Sequence, residues 1–416
     1  MCVCVLGCEE AARPPPRDGD VADGKDLDAQ GAGGDGAADP SRMDAGGGVV
    51  RVDATAREVA VPTACRSWSA GPVSTMRAVP PGGSSDGFTV LAAVASGVGS
   101  WVVVSTVFPG VNRLWIDRYD PTGRPTLPVP SSTPAATSGG TDINSRYYDR
   151  SLTWIRSTSE VALIDESEVW LWPGAGRGRG VSISEGSICC FATGILPDAE
   201  TSGFSLLQSR TILRRFRADG TEFARNTLPE LAARHESPRV LLDDGGFGVL
   251  WQPDSLERGE LRYAHYGSDG SLRDPLVSVE GTGGQPRAMV AIPSGVMLFW
   301  DQFRQPPRGL VLRNDGRLQR APFALTADPI ELDTSIAAVV VGGEVLVAFS
   351  PNSTETEVQR RSFQGEPIGA PVRFPIASRG INPTTLYFTA TDTGALLFAS
   401  DNLLHVARVV AFSCVR

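Results

Sequence analysis

An internal repeat with a period of about 48 residues constrains this chain more than any other feature. Four segments carry it: 238–269, 286–316, 333–365 and 381–414. In each, an apolar strand meets a glycine turn and a second apolar strand follows. A polar loop then leads into a third strand. The turn glycines Gly246, Gly295, Gly343 and Gly394 lie 49, 48 and 51 residues apart. A second glycine series, Gly123, Gly220, Gly270, Gly316 and Gly365, is spaced 97, 50, 46 and 49. The gap of 97 is two periods, so a divergent unit lies between, with its turn near Pro173–Gly176. Asp219-Gly220, Asp269-Gly270 and Asp315-Gly316 read as type I′ hairpin turns, which need positive φ at both central residues.

A fourth strand follows each of these turns and carries Pro128, Pro275, Pro322 or Pro371. Proline cannot donate to a sheet ladder, which places this strand at an outer edge. Repeated four-stranded antiparallel units imply an all-β fold, a seven-bladed β-propeller filling residues 61–416. The blades are expected to begin near Phe88, Ser151, Ile188, Arg239, Arg287, Thr334 and Thr384. The last unit ends at Cys414 after three strands, so Val73–Val79 is expected to supply its fourth. That closure by an N-terminal strand removes an open edge. One helix is expected from the Thr227-Leu228-Pro229-Glu230 capping pattern.

The first 60 residues differ in kind. They hold 12 acids and 6 bases, and residues 9–60 are read as a disordered acidic Gly/Ala/Pro-rich tether. Their aspartates miss the EF-hand spacing, so a solvated linker is the reading. Val5-Leu6-Gly7-Cys8 resembles a bacterial lipobox, with Cys8 as the lipid-attachment residue. Residues 1–8 then form part of a lipoprotein signal whose start lies upstream. Membrane contact is expected only through that anchor, because no run of about 18 apolar residues exists. The net charge of −9 argues against a nucleic-acid partner.

Maturation at Cys8 leaves Cys65, Cys189, Cys190 and Cys414. A Cys65–Cys414 disulfide would staple the closure. Cys189 and Cys190 then form either a strained vicinal disulfide or two buried thiols. The pattern suits an oxidising compartment. The three histidines, His235, His265 and His405, lack metal-ligand spacing, and His265 and His405 are read as packed strand residues. No motif for a nucleophile elbow, P-loop or zinc protease occurs, so no metal or cofactor is expected.

Three long polar loops follow the second strands: Gln252–Gly259, Asp301–Gly309 and Ser350–Glu357. Trp251, Asp254, Trp300, Asp301 and Arg304 form the candidate ligand site there. Aromatics beside carboxylates and arginine suit a glycan or a peptide. The competing reading packs Trp251 and Trp300 between blades, with Phe349 at the same register.

The Gly245–Trp251, Arg262–Gly270 and Arg215–Gly220 segments carry a resemblance. They resemble the propeller units of secreted and lipoprotein chains from GC-rich Gram-negative bacteria. The resemblance implies architecture, not an activity. The expected protein is a monomeric lipoprotein of the cell envelope, outer-membrane-anchored or secreted, whose non-catalytic propeller binds a protein or polysaccharide. The alternatives are a propeller enzyme acting on glycans and a structural subunit of an envelope assembly.

Overall fold

The computed structural model describes residues 65–415, apart from 78–87, 97–98, 109–110, 129–130, 133–151, 166–167, 174–177, 183–191, 199, 201, 209–210, 229–238, 253–259, 280–283, 303, 331–334, 377–385, 402–403 and 405. Cys8 and the tether therefore lie outside the described residues, as do Asp254, Cys189, Cys190, His235 and His405.

The described chain is all β. An N-terminal strap holds β1 (Ser67–Ala70) and β2 (Ser74–Thr75). Blade 1 comprises β3 (Phe88–Ala95), β4 (Ser100–Phe108), β5 (Val111–Tyr119) and β6 (Ser131–Ser132). Blade 2 comprises β7 (Leu152–Ile155), β8 (Glu160–Asp165), β9 (Glu168–Pro173) and β10 (Arg179–Ser182). Blade 3 comprises β11 (Ala192–Pro197), β12 (Phe204–Gln208), β13 (Ile212–Phe216) and β14 (Glu222–Thr227). Blade 4 comprises β15 (Arg239–Leu241), β16 (Phe247–Trp251), β17 (Leu261–Tyr266) and β18 (Val277–Val279). Blade 5 comprises β19 (Gln285–Ile292), β20 (Gly295–Asp301), β21 (Arg308–Arg313) and β22 (Leu318–Ala324). Blade 6 comprises β23 (Ile336–Val341), β24 (Glu344–Phe349), β25 (Thr356–Arg361) and β26 (Val372–Phe374). Blade 7 comprises β27 (Leu386–Thr391), β28 (Gly394–Asp401) and β29 (Val406–Val415).

Within each blade the strands pair antiparallel in sequence order. The first strands touch in a closed circuit: β3–β7, β7–β11, β11–β15, β15–β19, β19–β23, β23–β27 and β27–β3. This is a seven-bladed β-propeller. Burial follows the radius. Strands β12, β16, β20, β24 and β28 are buried at every position because other blades cover both their faces. That is why they read as apolar runs, with polar residues such as Gln208, Asp301, Glu344 and Asp401 mostly near their ends. The outermost strand β22 is mostly exposed.

Blade 7 takes its fourth strand from the strap. Strand β1 pairs with β29 from Ser67↔Val415 to Ala70↔Phe412, and β2 adds Ser74↔Val409 and Thr75↔Arg408. The closing strand thus begins ahead of the expected Val73–Val79 segment. An outer edge has only one covered face, and in β1 Trp68 alone is half-buried, so the apolar pattern that betrays inner strands is missing.

The placement of the prolines is corrected. Pro128, Pro275 and Pro371 precede β6, β18 and β26, and only Pro322 lies inside its strand. There the β21–β22 register shifts between Gly309↔Phe323 and Val311↔Arg320, so a bulge absorbs the missing donor. Thr227, expected to cap a helix, is the last residue of β14, and residues 229–234, where that helix was expected, lie outside the described residues.

The third-to-fourth-strand turns are not two-residue type I′ turns. Gly123, Gly220, Gly270, Gly316 and Gly365 have φ between 75° and 88°, and the aspartates before them are not left-handed. Gly220 N–H donates to Arg217 O and Arg217 N–H to Thr221 O, both at 2.9 Å. The same pair of bonds recurs at Gly270, Gly316 and Gly365. This is a type I turn followed by a glycine bulge. The aspartate contributes its side chain instead. Asp219 Oδ1 accepts the Thr221 N–H at 2.8 Å, and Asp269 and Asp315 do likewise. Each turn also wedges against the preceding blade. A Cβ at Gly220 would stand 2.6 Å from Val181, one at Gly316 2.6 Å from Val277, and one at Gly365 2.6 Å from Phe323.

Candidate functional site

The loops between second and third strands emerge at one end of the ring. Two of the residues expected to bind ligand there are core residues. Trp251 and Trp300 are fully buried. Trp251 packs with Leu213, Leu228 and Phe247 between blades 3 and 4. Trp300 packs with Leu250, Tyr263 and Met289 between blades 4 and 5. Phe349 takes the same place between blades 5 and 6. The repeated register is repeated architecture: each ring closes the wedge between its own blade and the one before, and both indoles are shut off from solvent.

Asp301 is also drawn inward. Its carboxylate accepts two bonds from Arg287, Nε at 2.8 Å and Nη2 at 3.1 Å, which tie β20 to β19. A bidentate guanidinium pair of this kind fixes geometry as well as charge. Arg304 is exposed on the loop beyond, with φ of 59°, a left-handed backbone. Buried Glu357 accepts bonds from Gln359 at 2.7 Å and Arg373 at 3.0 Å. Of the five expected site residues, Arg304 alone is described as solvent-facing.

The opposite end carries a polar cluster that sequence reading missed. Asp198 follows β11 and is almost fully buried. Arg215 of β13 reaches it with Nε at 2.7 Å and Nη2 at 3.0 Å, and Nη2 also reaches Glu200 at 2.7 Å. Ser205 donates to Asp198 at 3.0 Å. Ser268, on the turn of blade 4, donates to Glu200 and so bridges the two blades. The Ser268 hydroxyl, then Arg215, hold the Glu200 carboxyl below the usual range. Hydrogen bonding to Asp198 drives the Arg215 guanidinium upward. Phe223 lies under that guanidinium at 4.9 Å. A shallow cleft lined by Asp198, Ser205, Gly245, Phe247 and Ser268 opens between blades 3 and 4.

In blade 4, His265 lies between two carboxylates: Nδ1 is 2.8 Å from Asp274 and Nε2 is 2.9 Å from Asp244. It is buried in its strand, as a packed histidine should be. Among the described residues, no three His, Cys, Asp or Glu side chains converge to hold a metal ion.

The signal for this cluster was present but scattered. Arg215 sits in the RFRADG segment, and its partners lie 15 and 17 residues earlier in a different turn. Chemically the cluster is a framework. Asp198 and Glu200 share one guanidinium, and Glu200 stays largely exposed beside it.

No protein-family model and no curated protein matches the chain. Among solved structures it is similar to the lead-soaked crystal of BBS1N in complex with ARL6DN. That match has 12% identity, covers 84% of this chain and 97% of that one, and reaches a TM-score of 0.50. The mercury-soaked crystal of the same complex matches at 13% identity over 74% and 88% of the two chains, with a TM-score of 0.47. At such identity the first likeness extends to the fold alone, and the fold it supports is the β-propeller ring.

Proposed function

We propose that this chain is an extracytoplasmic, lipid-tethered lipoprotein whose propeller binds a protein partner. The observation that carries the reading is the Cys65–Cys414 disulfide, which joins the strap to β29 across 349 residues of sequence. Such bonds persist in oxidising compartments and are rare in reducing ones. The lipobox-like Val5–Cys8 and the acidic segment 9–60 supply anchor and tether. Binding is favoured over turnover by the use made of the polar groups. Asp198, Asp301 and Glu344 each form a bidentate pair with an arginine and brace the sheets. A protein partner is favoured over a polysaccharide because BBS1N, a chain of similar fold, is found in complex with ARL6DN.

Cell fractionation with an alkyne fatty-acid label tests the location. The chain is expected in the membrane fraction, labelled, and Cys8→Ala is expected to abolish both. A chain that stays in the cytoplasm unlabelled contradicts the reading. Cross-linking of the purified full chain to envelope proteins tests the partner. Selective glycan-array binding without a protein cross-link would reassign the ligand to polysaccharide.

A further inference from the structure

We propose that the strap is a strain-relief closure: the disulfide diverts tension arriving along the tether away from the non-covalent seam that shuts the ring. The tether reading above supplies the source of that tension. The mechanical claim itself stands on the geometry of the strap.

Cys65 is the first described residue and lies two positions ahead of β1. Beyond it the strap is held by weak contacts taken in sequence. Arg66 N–H donates to Val415 O at 2.8 Å, β1 and β2 pair with β29, and Met76 N–H donates to Ala407 O at 2.9 Å. Arg77 then crosses to blade 1 and forms a two-pronged pair with buried Asp117, with Nε at 2.6 Å. Its Nη1 also donates to Leu127 O at 2.7 Å. A pull on the N-terminal side would peel these contacts one at a time from the Ser67 end. Sequential peeling is the weakest way to load an edge strand, because each bond bears the force alone.

The disulfide removes that route. Its Cα atoms are 5.4 Å apart, so the entry point of the strap cannot separate from β29. The load passes at Cys65 into Cys414, which belongs to a strand held on both sides. Strand β29 pairs with β28 from Gly394↔Ser413 to Asp401↔Val406, and with β1 on its other edge. Residues 66–413 then lie inside a covalent loop. The junction is also shielded. Gly342, on the turn joining β23 to β24, accepts the Cys65 N–H, and a Cβ there would stand 2.1 Å from Cys65 Sγ. Its φ of 58° is left-handed as well, so the position favours glycine twice over.

The test is single-molecule pulling on the full chain. One handle is an N-terminal tag. The other is an Arg317→azidophenylalanine substitution at an exposed position on blade 5. The oxidised chain is expected to show no extension step before the ring unfolds. Under dithiothreitol, or in the Cys65→Ser/Cys414→Ser variant, a low-force step of about 40 Å should appear as residues 65–77 pay out. Adding Arg77→Gln should lower the force of that step in the reduced chain and leave the oxidised trace unchanged. Identical oxidised and reduced traces would overturn the proposal, as would the early step in the oxidised chain. Failure of fatty-acid labelling removes the natural load and sinks the tether reading, but it does not alter these traces.

Discussion

The seam between blades 7 and 1 and the interface between blades 4 and 5 solve one packing problem with different means. The interior interface is apolar: Leu250, Leu261, Tyr263, Met289, Leu298 and Trp300 form one cluster, and the Gly316 turn seats against Val277. The seam has a cluster of its own, with Val90, Val102, Tyr119, Phe398 and Val409. It then adds directional bonds. Ser100 and Thr389 share a hydroxyl contact at 2.6 Å, Val90 N–H donates to Ser400 Oγ at 2.9 Å, and Arg77 pairs with Asp117. Blades 4 and 5 are consecutive in the chain, so the polypeptide holds them close before they pack. Blades 7 and 1 are joined only by what the fold builds. Side-chain bonds also bridge consecutive blades, as Ser268 to Glu200 does, so the contrast lies in the covalent tie: connectivity has already met much of the entropy of approach between blades 4 and 5, and at the closure a disulfide does so.

The largest effect should come from breaking the covalent tie that holds the strap to blade 7. Cys65→Ser/Cys414→Ser opens a loop of several hundred residues, and chain-entropy reasoning sets the loss at about 5 kcal/mol. Denaturant unfolding should show that loss, with hydrogen exchange rising first in residues 65–77. Next, Trp300→Ala should cost about 4 kcal/mol by emptying the wedge of blades 4 and 5. Its exchange signature should stay at that interface and leave the strap protected. A change confined to the strap would erase the distinction between the two regions.

A smaller effect separates conformation from packing at the turns. Gly316→Ala meets both a φ of 75° and Val277, and should cost about 2 kcal/mol. Gly369 has φ of 72°, but a Cβ there would meet only the Arg360 guanidinium at an ordinary 3.9 Å, so Gly369→Ala should cost only about 1 kcal/mol. Thermal unfolding of the two variants measures the difference. Equal losses would show that the turn does not wedge.

The smallest effect is in pH. Hydrogen bonds from Thr221 hold Asp219, and bonds from Ser271 hold Asp269, below the ordinary carboxylate range. Their contribution is complete above the ordinary value near 4 and is lost as pH falls through the lower folded value. Burial pushes Asp117 the other way, partly opposed by Arg77. Its charged form is the costly one, so its contribution is greatest in acid and is lost as pH rises through its raised value. Carboxyl NMR should find Asp117 titrating above Asp219 and Asp269. The reverse order would remove this electrostatic difference between seam and turns.

The blades are legible in the sequence because an inner strand covered on both faces is mostly apolar and a left-handed turn residue favours glycine. Phe88 and Arg239 open their blades as expected, Ile336 opens blade 6 two residues after the expected Thr334, and Gly220 through Gly365 mark the turns. The closing strap begins ahead of Val73 because Ser67–Ala70 needs no apolar face, while Ser74–Thr75 of the expected segment does pair with β29. The turn type was misread because Asp-Gly has two uses: a left-handed pair, or a side chain that accepts the N–H after the glycine. The candidate site was less legible. Trp251 and Trp300 stood in equivalent repeat positions, which pointed to packing. The Asp198–Arg215–Glu200–Ser268 cluster joins residues from two blades, and no spacing in the chain announces that meeting.

Peptide mapping under non-reducing conditions tests the closure most directly. A ring shut by its own N-terminal strap must yield one linked pair containing Cys65 and Cys414, lost on reduction. Cys65 recovered as a free thiol, or joined to Cys189 or Cys190, would contradict the closure.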